Sequence, residues 1–309
     1  MQEKDAQIII ENNAPKILNS VIGRNIDHNE LSKKIIENAS KKNDRNITLP
    51  IVDIKPKFNT QDAEKLGVKE VVGSYMIPIK GVAKRTNLIV GAKKINNVLL
   101  KPNETFSYNK YISPVTPQNG YVPGLAIVGA SYGKSYGGGL CQLSTTLFNA
   151  AFLSGMKDVE HTPHTEYFDD YPLGRDAAYW EDSIDLKFKN DTPYGVVIQA
   201  YVEGWNLHVK LWSTKYYDVK TTTGQRYNTI PYTVRSVSNP NCVGNGVGAN
   251  GFSVQVWRTR FINGKEHDKY SYVARYKPSD IVRCTKDMKI PENKPDTSRD
   301  ETQIAPDGQ

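Results

Sequence analysis

Hydrophobic spacing divides the chain into helical and extended pieces. In IDHNELSKKIIENASK, Leu31, Ile35, Ile36 and Ala39 form a stripe at helical spacing, and Asp27 or Asn29 is placed to cap its start. NITLPIVDIKP alternates like a strand that ends at Pro56, so residues 1–60 read as a small α+β unit. Between residues 61 and 97 a short helical piece precedes RTNLIVGAKKINNVLL, where Leu88, Ala92 and Ile95 share a face. SIDLKFKNDTPYGVVIQAYVEGWNLHVKLW reads as three strands with turns at Asn190-Asp191 and Glu203-Gly204. Residues 220–285 read as a further β unit. In it Asn263-Gly264 joins FSVQVWRTRFI to KEHDKYSYVARY, the dipeptide a two-residue hairpin turn favours. The pattern predicts an α+β protein: a mixed domain over 61–215 and an all-β domain over 220–286. Residues 287–309 are polar and proline-bearing, and are expected to form a disordered tail.

Composition narrows the function classes. The chain has 309 residues and 38% hydrophobic content, enough for sizeable cores. Forty Lys plus Arg against 33 Asp plus Glu leave a formal charge of +7, spread without a dense basic run. That argues against nucleic acid as a partner and for mild attraction to anionic polymers such as those of a cell wall. No run approaches the ~18 apolar residues of a membrane span. Met1-Gln2-Glu3-Lys4 does not open a secretory signal. We expect the full-length protein to carry a leader or anchor beyond this sequence and to work outside the cell, at the membrane face or in the wall.

The stretch SYGGGLCQLSTTLFNAAFLSG holds the most informative of the three cysteines. Gln142 to Ser154 fits a helix with Leu143, Leu147, Ala150 and Ser154 on one face and Gly155 as its stop. Gly137, Gly138 and Gly139 let the backbone turn sharply and approach a ligand. Cys141 then sits in the first turn, near unsatisfied N–H groups. A helix start contributes ~0.3–1 kcal/mol, and a pKa unit is 1.36 kcal/mol. The dipole alone therefore leaves a thiol of pKa ~8.5 mostly protonated. A nucleophile needs a second partner, usually a histidine. Without one, Cys141 is a small buried structural residue.

Five histidines are available. His28, His208 and His267 fall in other elements, whereas His161 and His164 lie just downstream in EHTPHTEYF. A helix of about 13 residues is ~20 Å long. Seven extended residues return ~23 Å to His161, and ten return ~33 Å to His164. Only the second leaves slack for lateral packing, so His164 is the preferred base and His161 a second candidate near the substrate. Asp176, in GRDAAYW, can orient the imidazole, with Asp169 and Asp170 as rivals. Arg175 can fork onto a substrate carboxylate. Gln142 is a candidate oxyanion donor, and Gly138 and Gly139 are candidates for close substrate approach.

These residues resemble a known family. KPNETFSYN, GGGLCQLSTTLFNAAFLSG, HTPHTEYF and GRDAAYW…DSIDLKFKNDT look like the VanW domain over about residues 85–215, with Arg85 and Asn87 ahead of the main motif. Phe106, Ser107 and Asn109 fall on the family's FSxN element. The resemblance implies a cysteine L,D-transpeptidase with Cys141 as nucleophile and His164 as the motif's histidine. It implies peptidoglycan stem peptides as substrate, 3–3 crosslinks as product, and neither metal nor organic cofactor. Residues 1–60 resemble the tail end of a peptidoglycan-binding unit. Residues 220–285 resemble the five-glycine wall domain, through Gly244, Gly246, Gly248, Gly251 and Gly264, which implies contact with wall glycan.

Three other readings compete. One is a non-catalytic wall-binding module. A second is a cysteine amidase, endopeptidase or carboxypeptidase of the wall. A third is a metal site from Cys141, His161, His164 and Asp176. H-x-x-H suits it poorly on a strand, because alternate residues face opposite sides. Cys242 and Cys284 are expected to pair, closing a loop of about 43 residues worth ~4 kcal/mol in the chain-entropy model.

Overall fold

The computed structural model describes residues 1–42, 46–128, 131–238, 244 and 246–284, with the side chains of 125–134 left aside. The expected tail at 287–309 and Cys242 lie outside the described residues. The architecture is α+β.

Its centre is a four-stranded antiparallel sheet. The strand order is Glu70–Pro78, Asn206–Ser213, Val196–Glu203 and Leu99–Leu100. The first strand, EVVGSYMIP, escapes a sequence reading because Gly73 and Ser74 interrupt its alternation. The helices Val82–Ile95 and Leu140–Leu153 pack together on this sheet. Leu88, Ala92 and Ile95 enter the main core with Leu140, Leu143 and Leu147. The second helix was expected to bury one face. It is instead buried all round, with only Cys141 and Leu153 reaching partial exposure. Its fit is tight: a Cβ on Gly73 would meet the Ala150 carbonyl oxygen at 2.5 Å and Ser154 Cβ at 2.6 Å.

The C-terminal β unit is built on one long strand, Gly251–Ile262. Lys265–Tyr276 pairs along one edge, and Asp218–Thr223 and Tyr227–Ile230 share the other. Asn263 and Gly264 form the two-residue turn, with φ of 50° and 75° as such a turn requires. This sheet covers the end of the buried helix. Val256 joins the main core. Arg258 Nη1 donates to the carbonyls of Phe152 and Met156, and Arg260 Nη1 to that of Gly155. Cation donors thus satisfy carbonyls at and just past the helix end in an apolar setting.

At the N-terminus, Asp27 caps the helix His28–Ala39 through the N–H groups of Asn29 and Glu30. The stripe foreseen on this helix meets no core among the described residues: Ile35 and Ile36 are 50% and 73% exposed. Among the described residues no helix is long and apolar enough to cross a membrane.

The Gly73 contact yields a test. Gly73→Ala should destabilise the fold by roughly 1–3 kcal/mol in denaturant titration, because backbone rather than a flexible tip must move. Gly246→Ala, with open space around it, should stay within about 0.5 kcal/mol of the parent.

Candidate active site

The buried helix begins at a glycine turn held from outside. Gly139 is the N-cap at φ 104°, a left-handed conformation that side chains avoid. Asn87, fully buried, donates through Nδ2 to the carbonyls of Val122 and Gly138 and accepts the Val122 N–H on Oδ1. Tyr108 Oη donates to the Leu140 carbonyl. Leu140 N–H bonds Gly137 and Gln142 N–H bonds Gly139. The Cys141 N–H has no hydrogen-bond partner among the described residues, so the helix start presents one unused donor beside the thiol.

One face of the helix is zipped to an extended segment. Cys141 Sγ lies 3.5 Å from the Tyr179 carbonyl oxygen. Four residues on, Thr145 Oγ1 accepts the Ala177 N–H at 2.9 Å and donates to the Ala177 carbonyl at 3.3 Å. Four further, Asn149 Nδ2 donates to the Arg175 carbonyl at 2.7 Å. This run places Asp176 beside the helix. Its Oδ2 accepts from His164 Nδ1 at 2.6 Å and from the His164 N–H at 2.7 Å. Nδ1 is so engaged, and His164 and Cys141 each shift the other's pKa, so the imidazole lies within interaction range of the thiol. Tyr171 stacks on the imidazole at 5.4 Å and Phe168 meets it edge-on at 5.2 Å. Thiol, imidazole and carboxylate therefore stand in nucleophile, base and orienter order.

Burial and pairing oppose each other here, and pairing wins. Burial pushes the Cys141 thiol up, but the hydrogen bond and charge of His164 and the Tyr179 backbone bring it below the ordinary thiol range. Burial pulls His164 down, whereas Asp176 and Cys141 raise it to about 9. Burial raises the Asp176 carboxyl, yet His164 and Tyr276 hold it below its usual value. The pairing shifts both groups toward a thiolate–imidazolium pair.

Several expected substrate contacts are placed elsewhere. His161 is a buried ring, its side chain 3% exposed. It stacks on Phe148 at 3.8 Å, and its Nε2 donates to the Asp176 carbonyl at 2.7 Å. It props up the loop rather than lining a groove. Gln142 is buried and donates to the Pro78 carbonyl at 2.8 Å, so its side chain is not the oxyanion donor. Arg175 is buried, with its charge felt at Tyr272, and offers no open fork to a carboxylate. Gly138 and Gly139 do form the turn beside the thiol. Asp170 pairs with Lys80 at 2.8 Å rather than with the imidazole. The ring nitrogens of His161 and His164 serve the Asp176 backbone and side chain, which leaves the metal reading without a shared donor set. Cys284 is disulfide-bonded, while Cys141 is free.

Other residues of the site carried no chemical signal in the sequence. Tyr276 Oη, 100 residues away in chain order, donates to Asp176 Oδ1 from the C-terminal sheet. The FSxN element acquires a role as well. Asp185 accepts from Ser107 Oγ and the Asn109 N–H, and Asn109 Oδ1 accepts the Asp182 N–H. These bonds tie down the stretch that follows Tyr179. A pattern of polar residues flanking an aromatic could have flagged Ser107 and Asn109. Nothing in the strand spacing singles out Tyr276.

Residues 83–212 match the family described as VanW like protein. That stretch is VanW-like. The uncharacterized protein YoaR of Bacillus subtilis (strain 168) is 31% identical over 170 residues, covering 54% of this chain and 56% of that protein. The vancomycin B-type resistance protein VanW of Enterococcus faecalis (strain ATCC 700802 / V583) is 33% identical over 111 residues, covering 34% and 40%. The chain thus spans about half the length of the curated relatives it matches. No solved structure matches it. Cys141, His164, Asp176 and the pinning Asn87 all lie inside the VanW-like stretch, whereas Tyr276 lies outside it.

The electrostatics can be checked by alkylation. The pH midpoint for reaction of Cys141 with iodoacetamide should lie below the ~8.5 of a free thiol. It should rise in His164→Ala, which removes the charge that holds the sulfur ionised. Tyr276→Phe should move it in the same direction by less, since it loosens only the carboxylate behind the imidazole.

Proposed function

We propose that the VanW-like domain is a peptidoglycan acyltransferase, a cysteine L,D-transpeptidase acting on stem peptides. The observation that carries this reading is the His164 imidazole, held by Asp176 at 2.6 Å, lowering the pKa of the Cys141 thiol at the helix start. The net positive charge suits an anionic wall, and one relative is named for vancomycin resistance. The site of action is the wall or the outer membrane face.

The thiolate attacks the carbonyl carbon of the third residue of a tetrapeptide stem. The oxyanion takes the Cys141 N–H, a donor of a kind worth ~2.7–4 kcal/mol. The C–N bond breaks, and the imidazolium of His164 protonates the departing D-amino acid. A thioester remains. The side-chain amine of a second stem's third residue then attacks, passes a proton to neutral His164, and expels the thiolate. The product is a 3–3 crosslink. Water in place of the amine makes the same site a carboxypeptidase.

With purified tetrapeptide-stem muropeptides, Cys141→Ala should yield no 3–3 dimers by mass spectrometry. Dimers from that variant would refute the assignment. His164→Ala should lower the rate at least about 100-fold. His161→Ala should act mainly through stability, since it opens a cavity against Phe148. The rate should be bell-shaped in pH. It falls on the acid side as the thiolate is protonated, and on the basic side as pH rises through about 9, where the His164 imidazolium is lost.

A further inference from the structure

The mechanism above leaves one cation of the site unused. Lys84 stands in the first turn of Val82–Ile95, and its stem crosses the start of the nucleophile helix. A Cβ on Gly139 would lie 2.4 Å from Lys84 Cγ and 3.4 Å from its Cβ and Cδ. Only glycine at this cap lets the lysine lie there, two residues from Cys141. Burial lowers the Lys84 pKa, Asp170 raises it, Lys80 lowers it and the Cys141 charge raises it, so the ammonium is within electrostatic reach of the sulfur. Asp170 is already bonded to Lys80 at 2.8 Å. Among the described residues, Lys84 has no hydrogen bond or ion pair of its own. A half-buried ammonium in this condition is incompletely compensated, and a carboxylate would offset the cost.

Two other cations are less open to a ligand. Arg175 is buried. Arg85 Nε donates to the Gly204 carbonyl at 2.9 Å, and its guanidinium lies over Trp205.

We propose that Lys84 sets donor specificity by binding the free carboxylate of the residue that departs. The donor is then a peptide that ends one residue beyond the carbonyl Cys141 attacks. This rests on the acyl-transfer reading and adds the residue that selects the free-acid donor. In such a peptide the carboxylate-bearing Cα lies ~3.8 Å past that of the attacked residue. That is within reach of a lysine laid over the backbone beside the nucleophile. A donor one residue longer puts a neutral amide at the same place and loses the interaction.

Two readouts on the whole protein separate this proposal from the reading beneath it. The first compares alkylation of Cys141 by iodoacetate and by iodoacetamide. The two reagents are nearly isosteric and both lose iodide to the thiolate. At one pH their rate ratio cancels the thiolate fraction and the folded fraction. Lys84→Gln should lower the iodoacetate-to-iodoacetamide ratio on the order of tenfold, and Lys84→Arg should keep it within about threefold of the parent. An unchanged ratio in Lys84→Gln overturns the proposal. The second follows thioester formation, by intact mass, with a tetrapeptide donor ending in a free carboxylate or in an amide. The parent should prefer the free acid by about tenfold and Lys84→Gln should not. Equal acylation of the parent by both peptides also overturns it. If neither peptide acylates the parent, the stem-peptide reading fails and donor specificity with it. The alkylation ratio then still decides whether Lys84 is the anion-binding cation of the site.

Discussion

The site depends on a match of two repeats. Four residues of helix rise about 6 Å, and two residues of extended chain advance about 6.6 Å. Cys141, Thr145 and Asn149 therefore meet Tyr179, Ala177 and Arg175 in step, each through a backbone group of the extended partner. Because alternate side chains of an extended segment point apart, a segment held in this way sends Asp176 to His164. The thiol and its orienting carboxylate are thus set by one ladder. A helix packed only by leucines could slide or rotate; this one has polar groups that lose their partners if it does.

Both ends of the ladder are held by other elements. Asn87 and Tyr108 hold the glycine turn at the start of the helix. Arg258 and Arg260 hold carbonyls at and just past its end from the C-terminal sheet, and Tyr276 reaches from the same sheet to Asp176. The reactive pair is therefore supported by residues from position 87 to position 276. This explains how the thiol's pKa can be lowered in a largely apolar setting. The imidazolium is itself held by a carboxylate that has three donors around it.

Local pattern carried a good part of this. The glycine turn, the helix after it and its stop at Gly155 follow from residue types alone. Chain reach separated His164 from His161, because a helix and its return segment have known lengths, and His164 is the ring that meets the sulfur. The polar residues of the site were harder. Gln142, Arg175 and His161 have side chains that suit substrate recognition, but each is buried, and Gln142 and His161 are occupied by the protein's own backbone and rings. Residue type says what a group can bond, not whether the fold has already used it.

The sequence by itself determined the cysteine at the helix start, the histidine within reach of it and the α+β character, since these depend on spacing along the chain over a few turns or strands. Tertiary structure alone decided which polar groups stay open to a ligand. It also decided that Tyr276 backs the carboxylate and that Lys84 overlies the helix start. These depend on contacts between segments tens to a hundred residues apart, where burial and hydrogen-bond competition, rather than propensity, choose the partner.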